Sequence, residues 1–178
     1  MVREKNNNVV VAQIGVGYWG PNLLRNMVSN SQFRVKKVIE KVKGRRDFVE
    51  SHYPNIQVSE NIMDVITDPE IDAVVIATPV RTHFELTMRA LQAGKHVLVE
   101  KPMATRLEEV EKIRDAANQR GLVVMVGHTF IFNSAVRYIK DIIDIVSSML
   151  GKHFNGRELI DRGEKPFDIP GDWFKGPF

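Results

Sequence analysis

Two kinds of hydrophobic periodicity alternate along the chain from Val9 to about Leu150, and this alternation restricts the fold more than any other feature. Short apolar runs have the pattern of strands covered on both faces: Val9 to Ile14, Val35 to Ile39, Ile71 to Ala77, His96 to Val99 and Leu122 to Val126, with a weaker one at Ile56 to Val58. Helical patterns lie between them. Pro21 sits where a first helical residue tolerates losing its N–H, and Leu23, Leu24, Met27 and Val28 share one face behind it. Thr82 to Ala93 closes on Gly94 and Thr105 to Arg120 closes on Gly121, each segment opening on a threonine able to cap it. Strand, helix, strand at this spacing means parallel pairing through right-handed crossovers, so the fold class is α/β, a doubly wound parallel sheet. A last amphipathic helix starts near Ser134, with Val136, Ile139, Ile142, Ile143, Val146, Met149 and Leu150 on one stripe and Gly151 after it. Residues 151–178 hold five glycines and three prolines without a sustained period, and read as loop, lid or tail behind a domain of residues 1–150.

Composition narrows the function classes. A chain of 178 residues suits one full domain with an appendage. Its net charge of +3 is a small surplus of interspersed basic residues. Arg45, Arg46 and the neighbouring lysines have no aromatic residues between them, so no nucleic-acid partner is expected. The absence of cysteine excludes disulfides, thiolate metal sites and a cysteine nucleophile, and no metal site is expected. No apolar run has membrane-spanning length, and the polar start from Met1 to Asn8 carries no secretion signal. The expected location is cytoplasmic, with no membrane partner.

The glycine turn Gly15-Val16-Gly17-Tyr18-Trp19-Gly20 follows the first run and opens the first helix. In that context Gly15 makes a tight turn, Gly17 lets backbone approach a pyrophosphate, and Gly20 lets helix pack on strand, which is the Rossmann dinucleotide fingerprint. The helix start adds unpaired N–H groups for the phosphates. Tyr18 belongs to this turn, and Trp19 either covers the cofactor or packs beside the turn. Glu40 ends the second run, where a carboxylate accepts hydrogen bonds from the adenosine ribose and repels a 2′-phosphate. Lys41, Lys43, Arg45 and Arg46 pull the other way, toward NADP. The balance favours NAD.

Three further segments, ATPVRTH at residues 77–83, VEKP at 99–102 and VGHTFIFN at 126–133, together with GVGYWG, resemble the Gfo/Idh/MocA oxidoreductases. The resemblance spans roughly residues 8–145. GYWGPN and VGHTF are most similar to the branch that oxidises UDP-linked amino sugars or their uronic acids. The resemblance implies that Thr78, Pro79 and His83 line the cofactor, that Glu100 and Lys101 face the nicotinamide, and that Lys101 and His128 meet a sugar or UDP-sugar substrate. Oxidising a secondary alcohol moves a hydride to the nicotinamide and requires the hydroxyl proton to leave, so a positioned base is needed. Lys101 fits that role, provided burial and the positive nicotinamide ring disfavour its ammonium form.

Relatives continue into a second α/β domain that forms the substrate wall, often mediates homo-oligomers, and carries an aspartate and a histidine four residues apart. Asp168 is followed at that spacing by Asp172, and Asp172 by Gly176, so no such pair is present and the second domain has no visible counterpart. Two functions stay open: a dehydrogenase of a sugar or nucleotide sugar, and a non-catalytic NAD(P)-binding module or truncated fragment.

Overall fold

A computed structural model of the chain describes residues 8–149. Six parallel strands, β1 (Val9–Ile14), β2 (Phe33–Ile39), β3 (Gln57–Ser59), β4 (Ala73–Ile76), β5 (His96–Val99) and β6 (Val124–Val126), form one sheet in the order β3-β2-β1-β4-β5-β6. This is the doubly wound α/β order, with its topological switch between β1 and β4. The helices are α1 (Gly20–Ser29), α2 (Lys43–His52), α3 (Met63–Ile66), α4 (His83–Gln92), α5 (Leu107–Arg120) and α6 (Ser134–Met149). The chain divides between His128 and Thr129 into two units. The first carries the whole sheet and the second carries α6. The expected helix end at Gly151 and the irregular stretch 151–178 lie outside the described residues.

Strand periodicity sorts the core. Ala12, Ile14, Val74, Ile76, Val97 and Val99 pack with Ala90 and Leu91 of α4 and Ile113, Ala116 and Ala117 of α5. On the other face Val11, Val35, Val38 and Val75 pack with Leu24 and Met27 of α1 and Val49 of α2. Both faces are therefore apolar, as the continuous runs require.

Three local expectations change. The sequence pattern marks no helix between the second and third strands, yet α2 forms there; its only apolar residues are Phe48 and Val49, too few to mark a stripe. Thr82 precedes α4, but its hydroxyl donates to the Pro79 carbonyl at 2.8 Å and meets the Thr78 hydroxyl at 2.7 Å instead of capping the helix. Arg106, not Thr105, precedes α5, and Thr105 is bonded instead to the Glu109 carboxylate at 3.3 Å. Gly121 behaves as expected, in the left-handed conformation at φ 62°.

The loop before β4 is tied to the sheet by charge. Lys36 Nζ lies 2.7 Å and Lys37 Nζ 3.3 Å from Asp68 Oδ2. Lys95, almost fully buried, donates to the carbonyls of Asp68 at 2.7 Å and Ile71 at 2.9 Å. Burial pushes the Lys95 ammonium below its usual range, with Asp68 and Asp72 opposing. The hydrogen bond from Lys36 holds the Asp68 carboxyl well below the usual carboxylate range. A depressed carboxylate stabilises the fold above its unfolded pKa, about 3.9, and loses that contribution as pH falls through the folded value. We expect Asp68→Asn to melt below the parent at pH 7, with the gap closing as pH falls below about 4. Calorimetric melts against pH check this, and a gap independent of pH would contradict it.

Candidate functional site

The turn after β1 is built from close backbone approaches. Gly15 has φ 92°, and a Cβ there would stand 2.7 Å from the Ala77 carbonyl and 2.9 Å from the Thr78 methyl. A Cβ on Gly20 would stand 2.7 Å from the Gly15 carbonyl. Gly17 differs: its nearest neighbour would be Arg45 Nη1 at 3.6 Å, so the chain leaves its outer side open. Beneath the turn, fully buried Gln13 donates from Nε2 to the carbonyls of Gly15 at 2.8 Å and Gly20 at 2.9 Å. At its side the Val16 N–H donates to Glu40 Oε2 at 2.7 Å, and the Gly15 N–H to the Ile39 carbonyl at 2.8 Å. Among the described residues, the amides of Gly17, Tyr18, Trp19 and Gly20 find no acceptor in the chain. Four unpaired donors at the start of a ten-residue helix fit an anionic group such as a pyrophosphate.

Glu40 is 7% exposed and also accepts from the Val42 N–H at 2.9 Å. A carboxylate offers about four acceptor positions, and these two amides leave capacity for a ligand hydroxyl. Of the basic cluster, Arg46 is committed to the chain, donating to the carbonyls of Glu40 and Lys41 and pairing with Glu60 at 3.2 Å. Lys43 pairs with Asp47 at 2.9 Å. Arg45 is half exposed, 3.8 Å from Glu40 Oε2, beside the open side of Gly17.

The neighbouring strands end at the same edge. Beyond each, the next amide still donates into the sheet: Ala77 to Ile14, Glu100 to Ile76 and Gly127 to Val99, at 2.8–2.9 Å. Thr78 and Pro79 follow β4, and Glu100 and Lys101 follow β5. The Glu100 carboxylate lies against Gly127, its Oε1 3.0 Å from where a Cβ would stand. Lys101 is exposed, so the described residues do not supply the burial its role as a base calls for. His128, after β6, is exposed; Tyr18 is 98% exposed and Trp19 partly so. His83 turns inward: it is 1% exposed, with Nδ1 2.8 Å from the Pro102 carbonyl and Nε2 2.7 Å from the Thr78 carbonyl, so neither nitrogen is free for a ligand. Gln13 is the residue the sequence pattern hides. Its only signal is one polar side chain inside an apolar run, two residues before the first glycine.

Known proteins match this architecture. The chain is 30% identical over 142 residues to the NADP-dependent scyllo-inositol 2-dehydrogenase of Bacillus subtilis, covering 79% of this chain and 39% of that one. It is 32% identical over 139 residues to the NAD-dependent scyllo-inositol 2-dehydrogenase of the same organism, covering 78% and 41%. A solved 3-ketoreductase from Actinomadura kijaniata, in complex with NADP and TDP-benzene, superposes with TM-score 0.72 at 27% identity over 78% of this chain and 42% of that one. The chain thus spans about two-fifths of the length of these relatives. Residues 9–128 match the model of the Gfo/Idh/MocA oxidoreductases, described by their NAD-binding Rossmann fold, and the chain belongs to that family.

Proposed function

We propose that the chain binds a nicotinamide dinucleotide at the glycine turn and serves an oxidoreductase that oxidises a ring hydroxyl of a sugar or nucleotide sugar. The observation that carries this is the set of four unpaired amides from Gly17 to Gly20, with Gln13 and Glu40 holding the turn that presents them. A bound nicotinamide supplies the hydride acceptor. Thr78 and Glu100 bound its site at the ends of β4 and β5, and Lys101 takes the proton from the substrate hydroxyl oxygen. The names of the relatives support a polyhydroxylated ring as substrate. The narrower choice of a UDP-linked amino sugar or its uronic acid rests on the motifs GYWGPN and VGHTF alone.

A second reading, cofactor binding without turnover, is favoured by one observation. Lys101 is exposed, and no wall facing it lies among the described residues of its unit. Holding the reacting carbon in place can supply roughly 7–11 kcal/mol of a barrier, so an open site should be slow.

Titration calorimetry should show NAD binding, and about 1 mM NAD should raise the melting temperature, because a ligand of the native state stabilises it. Neither heat nor stabilisation would sink the proposal. NAD should bind more tightly than NADP. Glu40→Gln keeps an acceptor for Val16 and removes the charge, so it should narrow the preference by about tenfold, or about 1.4 kcal/mol. An unchanged ratio would mean that Glu40 does not face the 2′ position. Turnover of inositols and nucleotide sugars with NAD, followed by absorbance, should be slow in this chain. Fast turnover lost in Lys101→Ala would refute the second reading and show that the chain completes its own substrate wall.

A further inference from the structure

The segment after β5 carries the proposed reacting amine, yet little fixes its course. Among the described residues, the last ladder bond is from the Glu100 N–H to the Ile76 carbonyl, and Lys101 N–H has only a long contact of 3.3 Å to the adjacent Glu100 carboxylate. Met103 packs against the apolar cluster of α4 and α5, which holds it in depth but sets no orientation. Among the described residues, one hydrogen-bond contact from Lys101 to Ala104 reaches another element, between the Pro102 carbonyl and His83 Nδ1 at 2.8 Å. The other nitrogen of the same ring lies 2.7 Å from the Thr78 carbonyl. Carbonyls only accept, so the contact to Pro102 is a hydrogen bond when Nδ1 carries the hydrogen.

We propose that His83 is the positioning residue of this site: it donates from Nδ1 to the Pro102 carbonyl and so fixes the Lys101 segment against the Thr78 loop, without touching cofactor or substrate. The inference rests on the reading of Lys101 as the reacting amine and says what aims it. Three features make the ring suited to the task. It is buried, so water does not compete for its bonds. It opens α4, whose Thr87, Ala90 and Leu91 are buried, so its backbone is anchored. It also grips the loop whose Ala77 carbonyl and Thr78 methyl close over Gly15, which links the lysine segment to the glycine turn through one side chain.

The test uses the full chain, as parent, His83→Leu and His83→Gln. Leucine fills the space without a donor, and glutamine keeps one. In His83→Leu, amide NMR order parameters at Lys101 and Met103 should fall from the rigid range, about 0.85, to below about 0.6. His83→Gln should keep much of the parent's order. NADH binding should weaken about tenfold, the size of one lost hydrogen bond, while ADP, which needs only the glycine turn, should bind as before. Unchanged order parameters at Lys101 and Met103 in a folded His83→Leu would overturn the proposal. Nitrogen NMR of the parent decides the matter without any variant: Nδ1 should carry hydrogen, and a bare Nδ1 would overturn the inference even if His83→Leu fails to fold. Failure of the parent to bind ADP would instead refute the cofactor reading and leave the order parameters to judge His83.

Discussion

The site depends on the close approach of Gly15 to the carbonyl of Ala77. A side chain at Gly15 would meet that oxygen at 2.7 Å, so the turn after β1 can lie against the end of β4 only because a glycine stands there. This approach falls at the topological switch of the sheet, where helices leave toward opposite faces and open a crevice. Gln13 and Glu40 then convert a permissive turn into a fixed one. One buried amide group holds two carbonyls inward, and one buried carboxylate holds an amide sideways, leaving four amides pointing out of the chain. Buried polar groups of this kind are costly unless paired, and here the pairs made by Gln13 Nε2 and the Glu40 carboxylate shape the turn, while Gln13 Oε1 has no partner among the described residues.

The fold was legible because burial on both faces writes itself as continuous apolar runs. Val9–Ile14 and His96–Val99 fall where the sequence places them, and the other strands differ by a few residues at their ends. What was illegible is what depends on distant partners. The α2 helix rests on Val49 meeting the sheet, and its own sequence is mostly charge. Thr82 has the composition of a cap, but the Pro79 carbonyl and the Thr78 hydroxyl claim its hydroxyl first. His83 illustrates the limit at the site itself. Its position beyond a strand end follows from the motif, whereas the inward turn of its ring follows from two carbonyls on loops that only the fold brings together. Gln13 reads as an interruption in a strand until the turn it supports is seen.

Charge at the adenosine end is divided in a way composition alone does not reveal. Of four basic residues after Glu40, Arg46 braces the chain and Lys43 pairs within its helix, while Arg45 remains beside the open side of Gly17. On the proposed reading, cofactor choice sets the Glu40 carboxylate against the Arg45 guanidinium 3.8 Å away and the exposed Lys41. The relatives are named for both NAD and NADP, consistent with a fold in which such a local balance decides.

The central claim is that the outward amides from Gly17 to Gly20 hold the cofactor's pyrophosphate. A titration of the isotope-labelled chain with NAD, followed by backbone amide NMR, tests it most directly. The largest shifts should fall on Gly17, Tyr18, Trp19 and Gly20, with smaller ones at Thr78 and Glu100. Shifts that leave the glycine turn unmoved while other residues respond would contradict it.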